Sequence, residues 1–349
     1  MVENKATNLQ HSGEGSHQSI STDKSRDVFS EREHLKPYEY KEFLEYTDAI
    51  RNSYWVHTEF NFQGDIQDFE VNTTPVEKSV IKKTMLAIAQ IEVKVKTFWA
   101  DLYHQMPKSE FGSVGMTFAE SEVRHMDAYS HLLEILGIEE EFKQLSEVPA
   151  IKDRMDYLDK YLEGADSDDR EEYVMSLLLF SIFVEHVSLF SQFLIMTAFD
   201  KYEKKFKGIS NAVEATSKEE QIHGLFGVDL INTIQDENPE LFADSFDNQV
   251  QRACEKAYEA EMKILDWIFS EGELDFLPRK YINEFLKDRF NQSLDNVGVE
   301  TVFETEDSLL EETRWFDEDI MMTKHNDFFA KRSTTYNKHS KSVTADDMF

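Results

Sequence analysis

The stretch SLLLFSIFVEHVSLFSQFLI, residues 176–195, is apolar nearly all round yet carries Glu185 and His186 near its centre. It lies in a helical pattern running from Glu171 to Phe199, long enough to cross a bilayer. Two ionisable groups in mid-span would be costly in lipid, the segment stands alone, and no Lys/Arg asymmetry flanks it. It therefore reads as the central helix of a bundle. A carboxylate in such surroundings needs a compensating cation or proton, so Glu185 is either a ligand or a protonated or salt-bridged core residue.

Outward from this helix the chain looks all-α. Six Pro and 12 Gly in 349 residues are few, while Leu, Phe, Met, Ala, Glu and Lys abound, which favours long helices over sheet. The pattern predicts helices over Pro37–Ser53, Pro75–Pro107, Ser109–Leu136, Glu139–Leu145, Ala150–Leu162, Lys201–Asn232, Pro239–Ser270 and Pro278–Phe290, with 54–69 irregular. Pro75 suits a first helical position after Thr73 and Thr74, and Gly137 suits a C′ position; a break at Gly208 is left open. Residues 1–30 read as a disordered leader, 31–321 as one helical domain, and 322–349 as a mobile tail, order starting near Pro37.

A formal charge of −32, from 69 acidic against 37 basic side chains, repels phosphate backbones and anionic leaflets, so neither nucleic acid nor a membrane is an expected partner. Cys254 is the single cysteine. It excludes an internal disulfide and a cysteine-based zinc or iron–sulfur site within one chain, and with no apolar signal core at the N-terminus this fits the cytoplasm.

The chemistry-bearing pattern is Glu122-Val123-Arg124-His125 and Glu220-Gln221-Ile222-His223, two copies of Glu-x-x-His on separate predicted helices. Side chains three apart share a helix face, so each motif presents one oxygen and one nitrogen inward. A binuclear carboxylate site in a bundle needs one more Glu from each of two other helices. Glu185 is one; Glu92, in an apolar run, is the other, although Lys94 and Lys96 follow closely and leave an ordinary surface ion pair open. Four glutamates balance two divalent cations, and mixed carboxylate–imidazole ligation suits iron or manganese. Tyr129 lies four residues after His125, on the same face.

These residues, in this order, resemble the small, radical-generating subunit of class I ribonucleotide reductase, over the chain from about Trp55 to the C-terminus. The resemblance implies a ferritin-like helical bundle with a dinuclear metal site (two Fe, two Mn, or mixed Mn/Fe) between four core helices. It implies that Glu92, Glu122, His125, Glu185, Glu220 and His223 are metal ligands, and that Tyr129 or the metals store the oxidising equivalent. It implies that Trp55 and Glu219, standing where the family usually has Asp, begin a route outward. Phe328-Phe329-Ala330-Lys331-Arg332 with Tyr336 looks like the family's tail signature, in which the tyrosine relays the radical to the large subunit. The closing Asp346-Asp347-Met348-Phe349 resembles its docking peptide. A homodimer is also implied. Two other functions fit the ligand set: a stand-alone dimetal oxidase or oxygenase, which needs no tail, and iron storage, which needs neither Trp55 nor the tail.

Overall fold

The computed structural model describes residues 26–320 apart from 94, 243 and 244, with their side chains except at 96, 319 and 320. The principal helices are α1 (Leu44–Asn52), α2 (Pro75–Glu92), α3 (Ser109–Ile135), α4 (Pro149–Glu163), α5 (Arg170–Glu203), α6 (Lys207–Glu237), α7 (Phe246–Ile268), α8 (Arg279–Asn296) and α9 (Arg314–Ile320). Among the described residues the only β pairing is an isolated bridge between Leu274 and Leu277. The all-α expectation holds. Helices α2, α3, α5 and α6 enclose the site, and α1, α4, α7 and α8 pack around them.

Local chemistry sets several helix ends. Thr74 accepts a hydrogen bond from the Glu77 N–H while the Glu77 carboxylate accepts from the Thr74 N–H, a capping box that starts α2 ahead of Pro75. At the head of α3, Glu110 is buried and accepts from Arg32 and from the N–H groups of Glu39 and Tyr40. Burial alone would raise its pKa, but these donors outweigh it and hold the group at about 2.

Several element boundaries differ from the expectation. The expected Pro75–Pro107 helix stops at Glu92 and resumes as short pieces, Lys96–Ala100 and Leu102–Gln105. No Gly or Pro marks the break; packing decides it, because Trp99 is fully buried and Gly115 of α3 leaves room for its carbonyl oxygen, which an added Cβ would meet at 2.3 Å. The break before α6 falls at Lys204 and Phe206, both left-handed, and Gly208 lies inside the helix. Segment 54–69 contains a short helix, Gln63–Gln67, whose Asp65 accepts from the N–H groups of Gly208 (3.2 Å) and Ile209 (2.8 Å), capping α6 from a distance. Packing also begins ahead of Pro37: Val28 is fully buried, its N–H donates to Glu237, and Arg26 stacks on Tyr40.

Helix α5 is continuous but widens to π geometry over Phe180–Ser188 and again over Phe199–Glu203. It has the length and hydropathy to span a membrane, yet 94% of its most apolar window is buried inside the protein, as a core helix requires. A fully buried Arg154 on α4 ties it down. Arg154 forks onto Glu261 of α7 and donates to the carbonyl oxygens of Ala87 on α2 and Ser188 on α5, so both helices that supply single glutamates share one buried cation.

Candidate metal centre

The four inner helices bring six side chains together as two overlapping groups. Glu92, Glu122, His125 and Glu220 form one; Glu122, Glu185, Glu220 and His223 form the other, and within each group the ligand atoms lie within 4.8 Å of one another. Glu122 and Glu220 belong to both. All six residues are at most 1% exposed. Glu185 comes from the π-widened turn of α5, a local geometry that recurs at functional sites.

The inner atoms are crowded but poorly paired. His125 Nδ1 lies 3.0 Å from Glu220 and 3.5 Å from Glu122; His223 Nδ1 lies 2.9 Å from Glu122, 3.3 Å from Glu220 and 3.4 Å from Glu185. Yet both Nδ1 atoms, both oxygens of Glu92 and of Glu122, and one oxygen of Glu220 have no aligned hydrogen bond among the described residues. Buried polar atoms are rarely orphaned, and a convergent set of them is the arrangement a cation would satisfy. The chemistry of the donors suits a pair of ions, since four carboxylates match the charge of two divalent metals. The carboxylates repel one another in this arrangement. Burial, then repulsion from Glu220 and Glu122, pushes Glu185 well up; burial pushes Glu92 up too, with His125 opposing and Glu122 and Glu220 adding. For both histidines burial is outweighed by the surrounding carboxylates and the pKa rises, while Glu220, facing both rings, is held low.

The outer nitrogens of the two histidines differ. His125 Nε2 is 2.8 Å from Glu219 Oε2, the oxygen to which Trp55 Nε1 donates at 3.1 Å, and the Trp55 and His125 rings lie nearly parallel at 5.8 Å. His223 Nε2 is 3.0 Å from Ser121 Oγ, and its ring packs on Phe118 at 4.2 Å. Each outer contact fixes the tautomer that leaves Nδ1 facing the carboxylates. Tyr129 is buried, and among the described residues its hydroxyl makes no well-aligned hydrogen bond; burial and the Glu92 carboxylate push its pKa up, and the Thr216 hydroxyl nearby offsets part of the rise. The structure thus assembles Glu92, Glu122, His125, Glu185, Glu220, His223, Tyr129, Trp55 and Glu219 in one region. Tyr336, the Phe328–Arg332 signature and the terminal Asp346–Phe349 lie outside the described residues, as do positions 1–25.

Three contacts were not readable beforehand. Trp99 Nε1 donates to Glu185 at 2.8 Å, Ser121 supports His223, and Arg124 meets Glu219 through two nitrogens. Ser121 and Arg124 sit inside or beside a motif, but nothing in their identity distinguishes them from solvated helix residues.

A family model described as ribonucleotide reductase, small chain, matches residues 32–324. The chain belongs to that family. It resembles a probable ribonucleoside-diphosphate reductase small subunit of Invertebrate iridescent virus 3, with 22% identity over 90% of this chain and 86% of that one. Among solved structures it is similar to a putative class I ribonucleotide reductase from Bacillus halodurans, with a TM-score of 0.71 and 16% identity, over 79% of this chain and 98% of that one. It is also similar to an R2-like ligand-binding oxidase with a Mn/Fe cofactor, with a TM-score of 0.65 and 18% identity, over 76% and 95%. At these identities the structures share the fold. As a ribonucleotide reductase small chain, the protein is one component of an oxidoreductase and works with a large subunit.

Proposed function

We propose that this subunit binds two iron or manganese ions through Glu92, Glu122, His125, Glu185, Glu220 and His223, and sends an oxidising equivalent through Trp55 and Tyr336 to the large subunit. The observation that carries the reading is the sharing of Glu122 and Glu220 between two buried ligand groups, each completed by one Glu and one His. A redox-active metal pair held there supplies one-electron oxidation. The chain's own residues do the rest. Burial of all six ligands keeps bulk water away. Glu219 Oε2 is placed to accept the Trp55 indole proton as the ring gives up its electron, and its contact with His125 joins that proton to the centre. Tyr129, buried beside Thr216 and without a well-aligned hydrogen bond among the described residues, is a second place to hold the equivalent. Metal analysis with electron paramagnetic resonance on active protein separates Tyr129 from the metals as that place.

The tail roles rest on the resemblance. Tyr336→Phe should abolish nucleotide reduction with metal content unchanged; retained turnover would remove the relay. The reading includes docking through Asp346–Phe349, a cytoplasmic setting and a homodimer. Met116 and Val123, seven apart on one face of α3, are 63% and 41% exposed, an apolar strip suited to a second copy. Sedimentation showing a monomer at working concentrations would discard the dimer.

A further inference from the structure

Glu219 carries the whole link between Trp55 and His125, yet a glutamate has one more rotor than the link needs. Three donors converge on its Oε2: Trp55 Nε1 at 3.1 Å, His125 Nε2 at 2.8 Å and Arg124 Nη1 at 3.1 Å. Among the described residues its other oxygen accepts only from Arg124 Nη2, at 3.2 Å. The guanidinium therefore grips both oxygens as a planar fork. Its remaining contacts are used as well: Nη1 also donates to the Trp55 carbonyl oxygen (3.2 Å), Nε donates to Glu120 (2.9 Å), and the group sits 4.6 Å over the Tyr54 ring.

We propose that Arg124 is a positioning residue for the reaction, fixing the Glu219 carboxylate and the Trp55 backbone in one register so that a single oxygen stays between indole and imidazole. The cation also compensates the Glu219 charge, since both side chains are at most 5% exposed. The fork matters in its own right. A lysine could supply the charge but not two parallel donors plus a third hydrogen bond to a carbonyl, so the oxygen that serves Trp55 would be free to rotate away. Arg124 reaches the relay through Glu219, through the Trp55 backbone and through a looser ring contact, its guanidinium lying 5.7 Å from the Trp55 ring centroid.

The inference rests on the relay reading of Trp55 and is tested so that the two can fail separately. In metal-free full-length protein with 15N-labelled tryptophan, the Trp55 indole signal is assigned by its loss in Trp55→Phe. In Arg124→Gln and Arg124→Lys the Trp55 indole proton should move and exchange with water faster, while the Trp99 signal, held by Glu185, stays in place as proof of an intact bundle. After metal loading, nucleotide reduction with the large subunit should fall about tenfold or more, the range usual for outer partners of metal ligands, with metal content kept. An unmoved Trp55 signal in both variants overturns the proposal. So does an Arg124→Lys protein that behaves as the parent, because charge alone would then suffice. Metal lost in step with activity, or a Trp99 signal that moves too, assigns Arg124 a general structural role and overturns it likewise. If Arg124→Gln does not fold, Arg124→Lys, which keeps the charge, decides. Should Trp55→Phe itself leave turnover intact, the relay reading fails and the indole signal still judges the clamp.

Discussion

His125 and His223 hold matching places in the two motifs, but what lies behind them is different. Behind His125 runs a charged and hydrogen-bonded series, Glu219, Arg124, Glu120 and Trp55, that reaches Tyr54 and Glu120, both roughly half exposed. Behind His223 stand a serine hydroxyl and the rings of Phe118, Trp99 and Phe226. The first is a hydrogen-bonded series of charged and polar groups, whereas the second is an aromatic wall that fixes the ring by packing. Among the described residues, the polar series thus lies on the Trp55 side of the centre.

The strongest way to break the comparison is to remove what the two halves share. Glu220→Ala should lose both metal ions, because its carboxylate belongs to both ligand groups, whereas Glu92→Ala and Glu185→Ala should each weaken mainly one position. Elemental analysis of the purified variants checks this, and a Glu220→Ala protein that keeps a full pair would refute the sharing.

Acidity should act on both halves at once. The raised pKa values of Glu92, Glu185, His125 and His223 mean that the metal-free cluster holds protons that ions must displace. A group whose pKa is raised keeps its proton to higher pH, so apparent metal affinity should go on climbing as pH rises above the ordinary carboxylate and imidazole ranges, with protons released on binding. Calorimetry in buffers of different ionisation enthalpy measures that release; a pH-independent affinity would contradict it.

The outer contacts offer a finer test. Ser121→Ala removes one neutral partner of His223, and Glu219→Gln replaces a charged partner of His125; losing the group that holds a ligand's outer nitrogen typically costs about 10–100-fold in affinity or activity. Glu219→Gln should fall mainly on nucleotide reduction and Ser121→Ala mainly on metal affinity at the His223 position. Equal patterns in the two variants would erase the functional distinction between the polar and the aromatic side.

What could be read in advance follows from how unusual each residue is in its setting. Glu185 announces itself as a carboxylate in the most apolar run of the chain, and two Glu-x-x-His motifs on long helices are specific together. Arg124, Ser121 and Trp99 are ordinary helix residues until folding supplies their partners, and so carry no local signal. The break after Glu92 is likewise set by where Trp99 packs, and the left-handed Lys204 and Phe206 take a conformation that composition does not flag. Arg26–Ser30 look like polar leader, but Val28 finds a buried place only once α6 is present to hold Glu237 beneath it.

The smallest expected effect concerns the helix contact behind the His223 half. A Cβ at Gly227 of α6 would lie 2.2 Å from Ser181 Cβ and Oγ, inside the π-widened turn that carries Glu185 four residues on. Neither helix can simply retreat, because α5 is buried on all sides here and Arg154 holds it by the Ser188 carbonyl. Overpacking of this kind typically costs about 1–3 kcal/mol, so Gly227→Ala should lower the denaturant midpoint by a corresponding amount. Displacement of the Ser181 turn should carry Glu185 with it, loosening the metal position of His223 while leaving Trp55, Glu219 and His125 in register. The Trp99 indole signal, which reports on Glu185, should therefore move and that of Trp55 should not. A shift of Trp55 alone would mean that the two halves are coupled through α6 rather than separately supported.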